Sequence, residues 1–245
     1  MNFKKNSGAR QMATDEAILQ ARINGQVPNT LRFYTWIPPA ITVGFFQSVE
    51  QEVDIKKARV QGVDIIRRYT GGGAVFHNQE ITYSIALSEK DVSEDILESY
   101  EMICSGVVEG LKLLGLEASF SPINDILVNG KKISGSAQTR KEGVVLQHGT
   151  IILDLEVEKM FSLLKVSNEK IKDKLIKDVK ERVTSVRKEV DKDLDPLEME
   201  KALVGGFKRV FGFDYFRNDL SEVELKMAEY LYKEKYFSDS WNYRR

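Results

Sequence analysis

Apolar side chains recur every three or four positions at the start of the chain. Met12, Ala13, Ala17, Ile18 and Ala21 share one face and Gly25 follows, which predicts a first helix over residues 7–24. The period then drops to two. Residues 31–36 and 41–46 are short β-branched and aromatic runs separated by Pro38-Pro39, predicting two strands joined by a turn. A short helix over 53–60 precedes a strand over 64–69, and that strand runs into Gly71-Gly72-Gly73. Residues 74–87 resume a strand pattern with a break near Asn78. Ile96, Tyr100, Ile103, Val107, Leu111 and Leu114 then mark a long amphipathic helix.

The clearest local signal is Asn129-Gly130. It accepts the positive φ angles of a tight type I′ turn and so predicts a hairpin of 125–128 with 131–139, with 144–153 returning as a third strand. More than half of residues 167–195 are charged, with both signs interspersed and with Ile171, Leu175 and Val179 four residues apart. Alone, that pattern describes a solvated helix packed by one thin apolar stripe. Helices over 196–210 and 220–236 close the chain. Strands followed by helices, without regular βαβ alternation, give an α+β class.

Composition narrows the functional classes. The chain has 245 residues, 42% apolar and 30% charged, which suits one large domain with a substantial core. A net charge of −1 offers no overall attraction to nucleic acid or to a membrane surface. No apolar run approaches the roughly 20 residues that cross a bilayer, and residues 1–11 have no signal-peptide core. The lone Cys104 forms no internal disulfide and suits a reducing compartment. The expectation is a cytoplasmic protein without nucleic-acid or membrane partners.

Three segments could carry chemistry. In Arg67-Arg68-Tyr69-Thr70-Gly71-Gly72-Gly73-Ala74-Val75-Phe76-His77, consecutive glycines let a backbone approach an anion, and an arginine adds a fixed fork of donors. The same residues also describe a flexible turn with surface arginines. On a strand Arg67 and Arg68 face opposite ways, so one of them enters a site. The second segment joins Asn124-Asp125 to Lys131-Lys132-Ile133-Ser134-Gly135-Ser136-Ala137. Strict alternation places Lys132, Ser134 and Ser136 on one face and Lys131, Ile133 and Gly135 on the other. A lysine among small residues can meet a phosphate or a developing carbonyl charge, whereas an edge lysine can also simply discourage edge pairing. The third, Leu146-Gln147-His148-Gly149-Thr150, holds one of only two histidines. Two histidines without a cysteine or carboxylate cluster do not make a typical zinc site. Walker, Rossmann and Gly-x-Ser-x-Gly motifs are missing.

In order and spacing these segments resemble the lipoate–protein ligase family, over almost the whole chain. The resemblance implies a fold shared with biotin–protein ligases and related to class II aminoacyl-tRNA synthetases, a central mixed sheet flanked by helices. It implies a single catalytic domain over 1–245 without the C-terminal accessory domain of many ligases, and hence a separate small accessory subunit as a candidate partner. The implied reaction uses ATP and magnesium to convert lipoate or octanoate into an acyl-adenylate. The acyl group then passes to a lysine of a glycine-cleavage H protein-like or E2 lipoyl-domain acceptor.

By the same resemblance Lys132 is catalytic and touches both the acyl carbonyl and the α-phosphate. Arg68, Thr70, Gly71, Gly72, Gly73 and Ala74 hold the substrate from one side; His77, Ser134, Gly135, Ala137 and His148 hold it from the other. Asn124, Asp125, Arg182 and Thr184 join Lys132 on the nucleotide side, with Asp125 a candidate for magnesium. A sister branch instead moves octanoyl groups from a carrier protein through a cysteine thioester. It is similar to this chain at residues 77–84 and 136–149, but its cysteine positions hold no thiol here. Cys104, on the long helix, reads as packing. A binding module without catalysis is the remaining alternative, and it would need neither Lys132 nor Asp125.

Overall fold

The computed structural model describes residues 4–166, 169–190 and 194–244. Strand β1 (Lys4–Asn6) leads into α1 (Gly8–Ile23), followed by β2 (Thr30–Trp36) and β3 (Ala40–Val43). Two short helices, α2 (Val49–Glu52) and α3 (Ile55–Val60), come before β4 (Asp64–Arg67), β5 (Val75–His77) and β6 (Glu80–Ser88). The long helix α4 (Ile96–Leu113) is followed by β7 (Ala118–Ser121), β8 (Asp125–Val128), β9 (Lys131–Lys141) and β10 (Val144–Ile152). The rest is helical: α5 (Val157–Leu163), α6 (Glu169–Arg182), α7 (Val186–Glu189), α8 (Pro196–Phe211), α9 (Glu222–Leu231) and α10 (Asp239–Asn242).

The strands form a seven-stranded sheet in the order β1-β2-β6-β10-β9-β8-β7 and a three-stranded sheet in the order β4-β3-β5. Each is mixed, because β1 runs parallel to β2 and β3 parallel to β4 while the other pairs are antiparallel. This is the expected α+β class, a central mixed sheet flanked by helices. Period-two alternation on β6 supplies both faces. Ile81, Tyr83, Ile85 and Leu87 pack towards α4 and α8, while Ala86 packs with Ile18 and Leu19 of α1. Among the described residues no helix is long and apolar enough to cross a membrane.

Several expectations need correction. The runs around Pro38-Pro39 are strands, but β2 and β3 lie in different sheets rather than forming a pair. The break near Asn78 likewise moves the chain from the small sheet to the large one. The helix expected over 53–60 is α3 and starts at Ile55, because Val53 bridges to Leu164; α2, just before it, was not expected. The last predicted helix does run to Tyr236, but only α9 is α-helical and Tyr232–Tyr236 is a π-helix. Ser167, Asn168 and Asp191 to Asp193 of the charged stretch lie outside the described residues.

The hairpin itself is as expected, with φ of 50° at Asn129 and 73° at Gly130. Its register is not. A bulge shifts the pairing, so Asp125 faces Gly135 and Ile126 faces Ser134, but Leu127 faces Lys132. The extra residue, Ile133, breaks strict alternation. Gly135 therefore lies beside the Lys132 ammonium, where an added Cβ would sit 3.1 Å from Nζ. Ser134 turns inward instead, fully buried, and its hydroxyl finds no hydrogen-bond partner among the described residues.

Helices α4 and α8 approach until their backbones touch. A Cβ on Gly206 would lie 2.2 Å from both the Gly106 carbonyl oxygen and the Gly110 nitrogen, whereas one on Gly205 would meet only Leu113 Cδ1 at 3.0 Å. Gly206→Ala should lower unfolding free energy by roughly 1–3 kcal/mol through overpacking. Gly205→Ala should change it by under about 1 kcal/mol, because better helix propensity offsets a yielding contact. Chemical denaturation of the two variants checks this, and equal losses would contradict the crossing.

Candidate active site

A cavity of about 410 Å³ opens on the α1 side of the large sheet, within the range of small-molecule sites. Its apolar wall includes Met12, Trp36, Val75, Phe76, Ile152 and Met160, and Val179 and Val183 close it from α6 and the residues just after. The thin stripe of the charged helix thus has a use. Val179 meets the cavity, while Ile171 stays 43% exposed.

Of the predicted site residues, Arg68, Gly72, Gly73, Ala74, His77, Asn124, Lys132, Gly135, Ala137 and His148 line the cavity. Asp125 stands beside it, its Oδ1 2.6 Å from Lys132 Nζ, and both side chains are partly exposed. Asn124 Nδ2 donates to the Ser136 carbonyl and the Ser136 amide donates back to the Asn124 carbonyl, which fixes the approach to β8. Thr70 and Gly71 do not line the cavity, but the Thr70 hydroxyl bonds His148 Nε2 and the Gly71 carbonyl accepts from Arg68. Ser134 is displaced by the bulge. Arg182 is exposed and outside the wall, and the Thr184 hydroxyl turns to Glu189 rather than to the cavity. The Thr184 amide nevertheless donates to the Lys132 carbonyl at 2.8 Å, and Val183 bridges Lys132, so this segment lies directly against the lysine.

The two arginines divide as strand geometry requires. Arg67 is wholly buried and serves the scaffold: its guanidinium donates to the carbonyls of Gly44, Phe45, Gln47, Trp241 and Asn242. Arg68 faces the cavity, but its fork is engaged. Nη1 donates to the Thr42 carbonyl at 3.0 Å and to Thr42 Oγ1 at 2.7 Å. Nη2 donates to the carbonyls of Gly71 at 2.8 Å and Gly73 at 2.9 Å. The triple-glycine loop is therefore curled around a cation by its carbonyls. Gly72 adopts a φ of 94°, and its carbonyl lies where a Cβ on Gly44 would be only 2.0 Å away. Burial lowers the Arg68 pKa to about 10, which still leaves it charged at neutral pH.

Two carboxylates that sequence reasoning passed over hold the inner wall, Glu80 within it and Asp15 behind it. Asp15, on the buried face of α1, accepts from Arg32 Nη1 at 2.6 Å and Tyr34 OH at 2.9 Å, and contacts His148 Nδ1 at 3.1 Å. Glu80 Oε1 accepts from Trp36 Nε1 and Thr82 Oγ1 and contacts His77 Nδ1 at 2.7 Å. Their one signal was a carboxylate inside an otherwise apolar pattern. Burial alone would raise the Asp15 carboxyl, but Arg32, His148 and Tyr34 outweigh it and hold it below its ordinary value.

The model of the lipoyl protein ligase A/B catalytic domain matches residues 7–208. Octanoyltransferase LipM of Anoxybacillus flavithermus is 36% identical, over 98% of this chain and 95% of that protein. Its counterpart in Clostridioides difficile is 37% identical, over 99% and 97%. Among solved structures, one chain of a bi-partite lipoate protein ligase with its E2 lipoyl domain, from Thermoplasma acidophilum, superposes with a TM-score of 0.89. It is 31% identical and covers 98% of this chain and 94% of its own. A lipoate-protein ligase A bound with ATP gives 0.85 at 29% identity, over 99% and 97%.

The buried histidine makes a prediction about acid. Burial holds His148 below its ordinary value near 6.5 despite the attraction of Asp15, and Arg68 and His77 add to the lowering. As pH falls, the unfolded chain takes up this proton before the folded one, so stability is lost from about 6.5 downwards. Asp15, lowered from 3.8, acts only in stronger acid. Unfolding free energy should thus fall between pH 7 and 5.5, and His148→Gln should flatten that slope. An unchanged slope in the variant would show that His148 is not held neutral.

Proposed function

The chain belongs to the lipoyl protein ligase A/B catalytic-domain family, and on that footing we propose that it uses ATP to join lipoate or octanoate to a protein lysine. The observation that carries this reading is the placing of Lys132. Its ammonium stands at the rim of an apolar cavity, between Asp125 and the bare backbone of Gly135, where an acyl carboxylate and a nucleotide phosphate would meet. The acyl chain lies in the cavity. Its carboxylate oxygen attacks the α-phosphorus of ATP and pyrophosphate leaves. The acceptor's amine then attacks the acyl carbon, and AMP leaves with the bonding electrons. Lys132 supplies positive charge to both steps, and the glycine loop holds the chain in line.

Magnesium, arriving with ATP, neutralises phosphate charge. Such an ion commonly takes one or two protein carboxylates beside phosphate oxygens and water, and Asp125, partly exposed, fits that donor set. Asn124 orders the same edge, while Arg182 and Thr184, on either side of the Val183 that bridges Lys132, would flank the nucleotide. The acceptor is a lipoyl domain or a glycine-cleavage H protein. The likeness to a chain from a bi-partite ligase supports dependence on a second, small protein.

A second reading rests on the curated relatives, whose names are those of octanoyltransferases and therefore favour transfer from an acyl donor without ATP. That route needs a nucleophile, and no described wall residue is a cysteine. Cys104 is buried behind the wall, its Sγ 3.6 Å from Ser136 Oγ, and burial raises its pKa away from the reactive thiolate. The deciding experiment supplies ATP, magnesium and octanoate or lipoate in one arm, and octanoyl carrier protein without ATP in the other, each with a lipoyl domain. Acyl-AMP and acyl-lysine in the first arm support the ligase. Product only in the second replaces it with the transferase. A binding module would release no pyrophosphate in either.

Two substitutions sharpen this. Lys132→Ala should slow adenylation by about a hundredfold or more, the usual loss of one preorganised charge, while Lys131→Ala, exposed at the hairpin tip, should retain activity. Equal losses would remove Lys132 from its role. Cys104→Ala should leave transfer nearly unchanged, and an acyl-thioester trapped on Cys104 would overturn the assignment.

A further inference from the structure

Both histidines stand in the same kind of chain. His148 runs from Asp15 Oδ2 through Nδ1 at 3.1 Å, and from Nε2 to Thr70 Oγ1 at 2.8 Å. His77 runs from Glu80 Oε1 through Nδ1 at 2.7 Å, and from Nε2 to Thr42 Oγ1 at 2.7 Å. All six residues are buried. Donor logic orders the protons of the neutral rings. The Glu80 carboxylate can only accept, so the neutral His77 ring presents an Nδ1 proton to it and its Nε2 accepts from Thr42, whose Oγ1 accepts in turn from Arg68 Nη1. In the other chain Asp15 already accepts from Tyr34 and Arg32, so His148 Nδ1 donates to it and Nε2 accepts from Thr70. Each chain ends at the glycine loop. Thr70 immediately precedes Gly71, and Thr42 reaches the loop through Arg68, which holds the Gly71 and Gly73 carbonyls.

We propose that these two carboxylate–histidine–threonine chains are a paired latch that sets the position of residues 70–74 over the cavity, with Asp15, Glu80, Thr42 and Thr70 as positioning residues for acyl binding. The kinetic part rests on the acyl-joining function proposed above; the latch itself does not. Breaking either chain frees the loop while Lys132, across the cavity, keeps its place. The loss therefore falls on capture of the acyl chain rather than on the chemical step.

The test uses the full chain with Thr70→Val, which keeps shape and removes the hydroxyl, and Thr70→Ser, which restores it. Thr42→Val repeats the test on the second chain, and keeps the proposal testable if one variant fails to fold. Hydrogen–deuterium exchange of the 69–76 segment should quicken on the order of tenfold in the valine variants, the weight of one buried hydrogen bond, and return to normal in the serine variant. KM for the acyl acid should rise by a similar factor with kcat held. Imidazole nitrogen NMR at pH 8 should find both rings protonated at Nδ1. Unchanged loop exchange in a folded valine variant, a ring proton on Nε2, or a fall in kcat at constant KM would each overturn the latch. Quickened exchange in a protein that joins no acyl group to any acceptor would remove the proposed function and leave the latch standing.

Discussion

A buried guanidinium that can only donate governs this site. Arg68 needs acceptors on every side because an unpaired charge in a protein interior is far costlier than the bonds that satisfy it. The chain answers with backbone carbonyls. Thr42 of the small sheet supplies one, and Gly71 and Gly73 supply two more by bending the loop back on itself. The glycines are thus needed for a different reason from the usual anion cradle. They let carbonyls converge on a cation, and they allow Gly44 and Gly72 to pass at a separation no side chain tolerates. A ligand anion that approached Arg68 directly would compete with four bonds already made.

Neighbouring arginines show how one dipeptide joins scaffold and site. Strand alternation sends Arg67 away from the cavity, where five carbonyls receive it, two of them from Trp241 and Asn242 near the end of the chain. Asn242 Oδ1 also accepts the Arg67 amide, and Trp241 Nε1 donates to the Arg67 carbonyl. The C-terminal helices are therefore tied to the strand that presents Arg68, and displacing them would reach the glycine loop through one residue.

Much of this was legible in the sequence because its causes are local. The amphipathic periods gave α1 and α4 nearly to the residue, Asn129-Gly130 gave the hairpin, and alternation gave the division between Arg67 and Arg68. What escaped reading depends on contacts distant in the chain. Nothing near Pro38-Pro39 says that β2 and β3 belong to different sheets, and nothing near Asp15 says that it meets a histidine 133 residues away. Thr42 and Glu80 were missed for the same reason. Threonine and glutamate within a strand carry no local mark of the acceptor they will find.

The hairpin shows the opposite failure, a local rule applied too strictly. Alternation is a property of an unbroken ladder, and one inserted residue reverses every assignment beyond it. With Ile133 bulged, the face that carries Lys132 continues through Gly135 and Ala137, not through Ser134. The change matters chemically. A serine beside the ammonium would have offered it a hydroxyl and filled the space along its stem, whereas glycine leaves Asp125 as the polar side chain bonded to the lysine and leaves the other side of the ammonium open. The bulge thus converts a run of small residues, which in regular pairing would crowd the lysine with its own strand, into a one-sided setting whose free side faces the cavity.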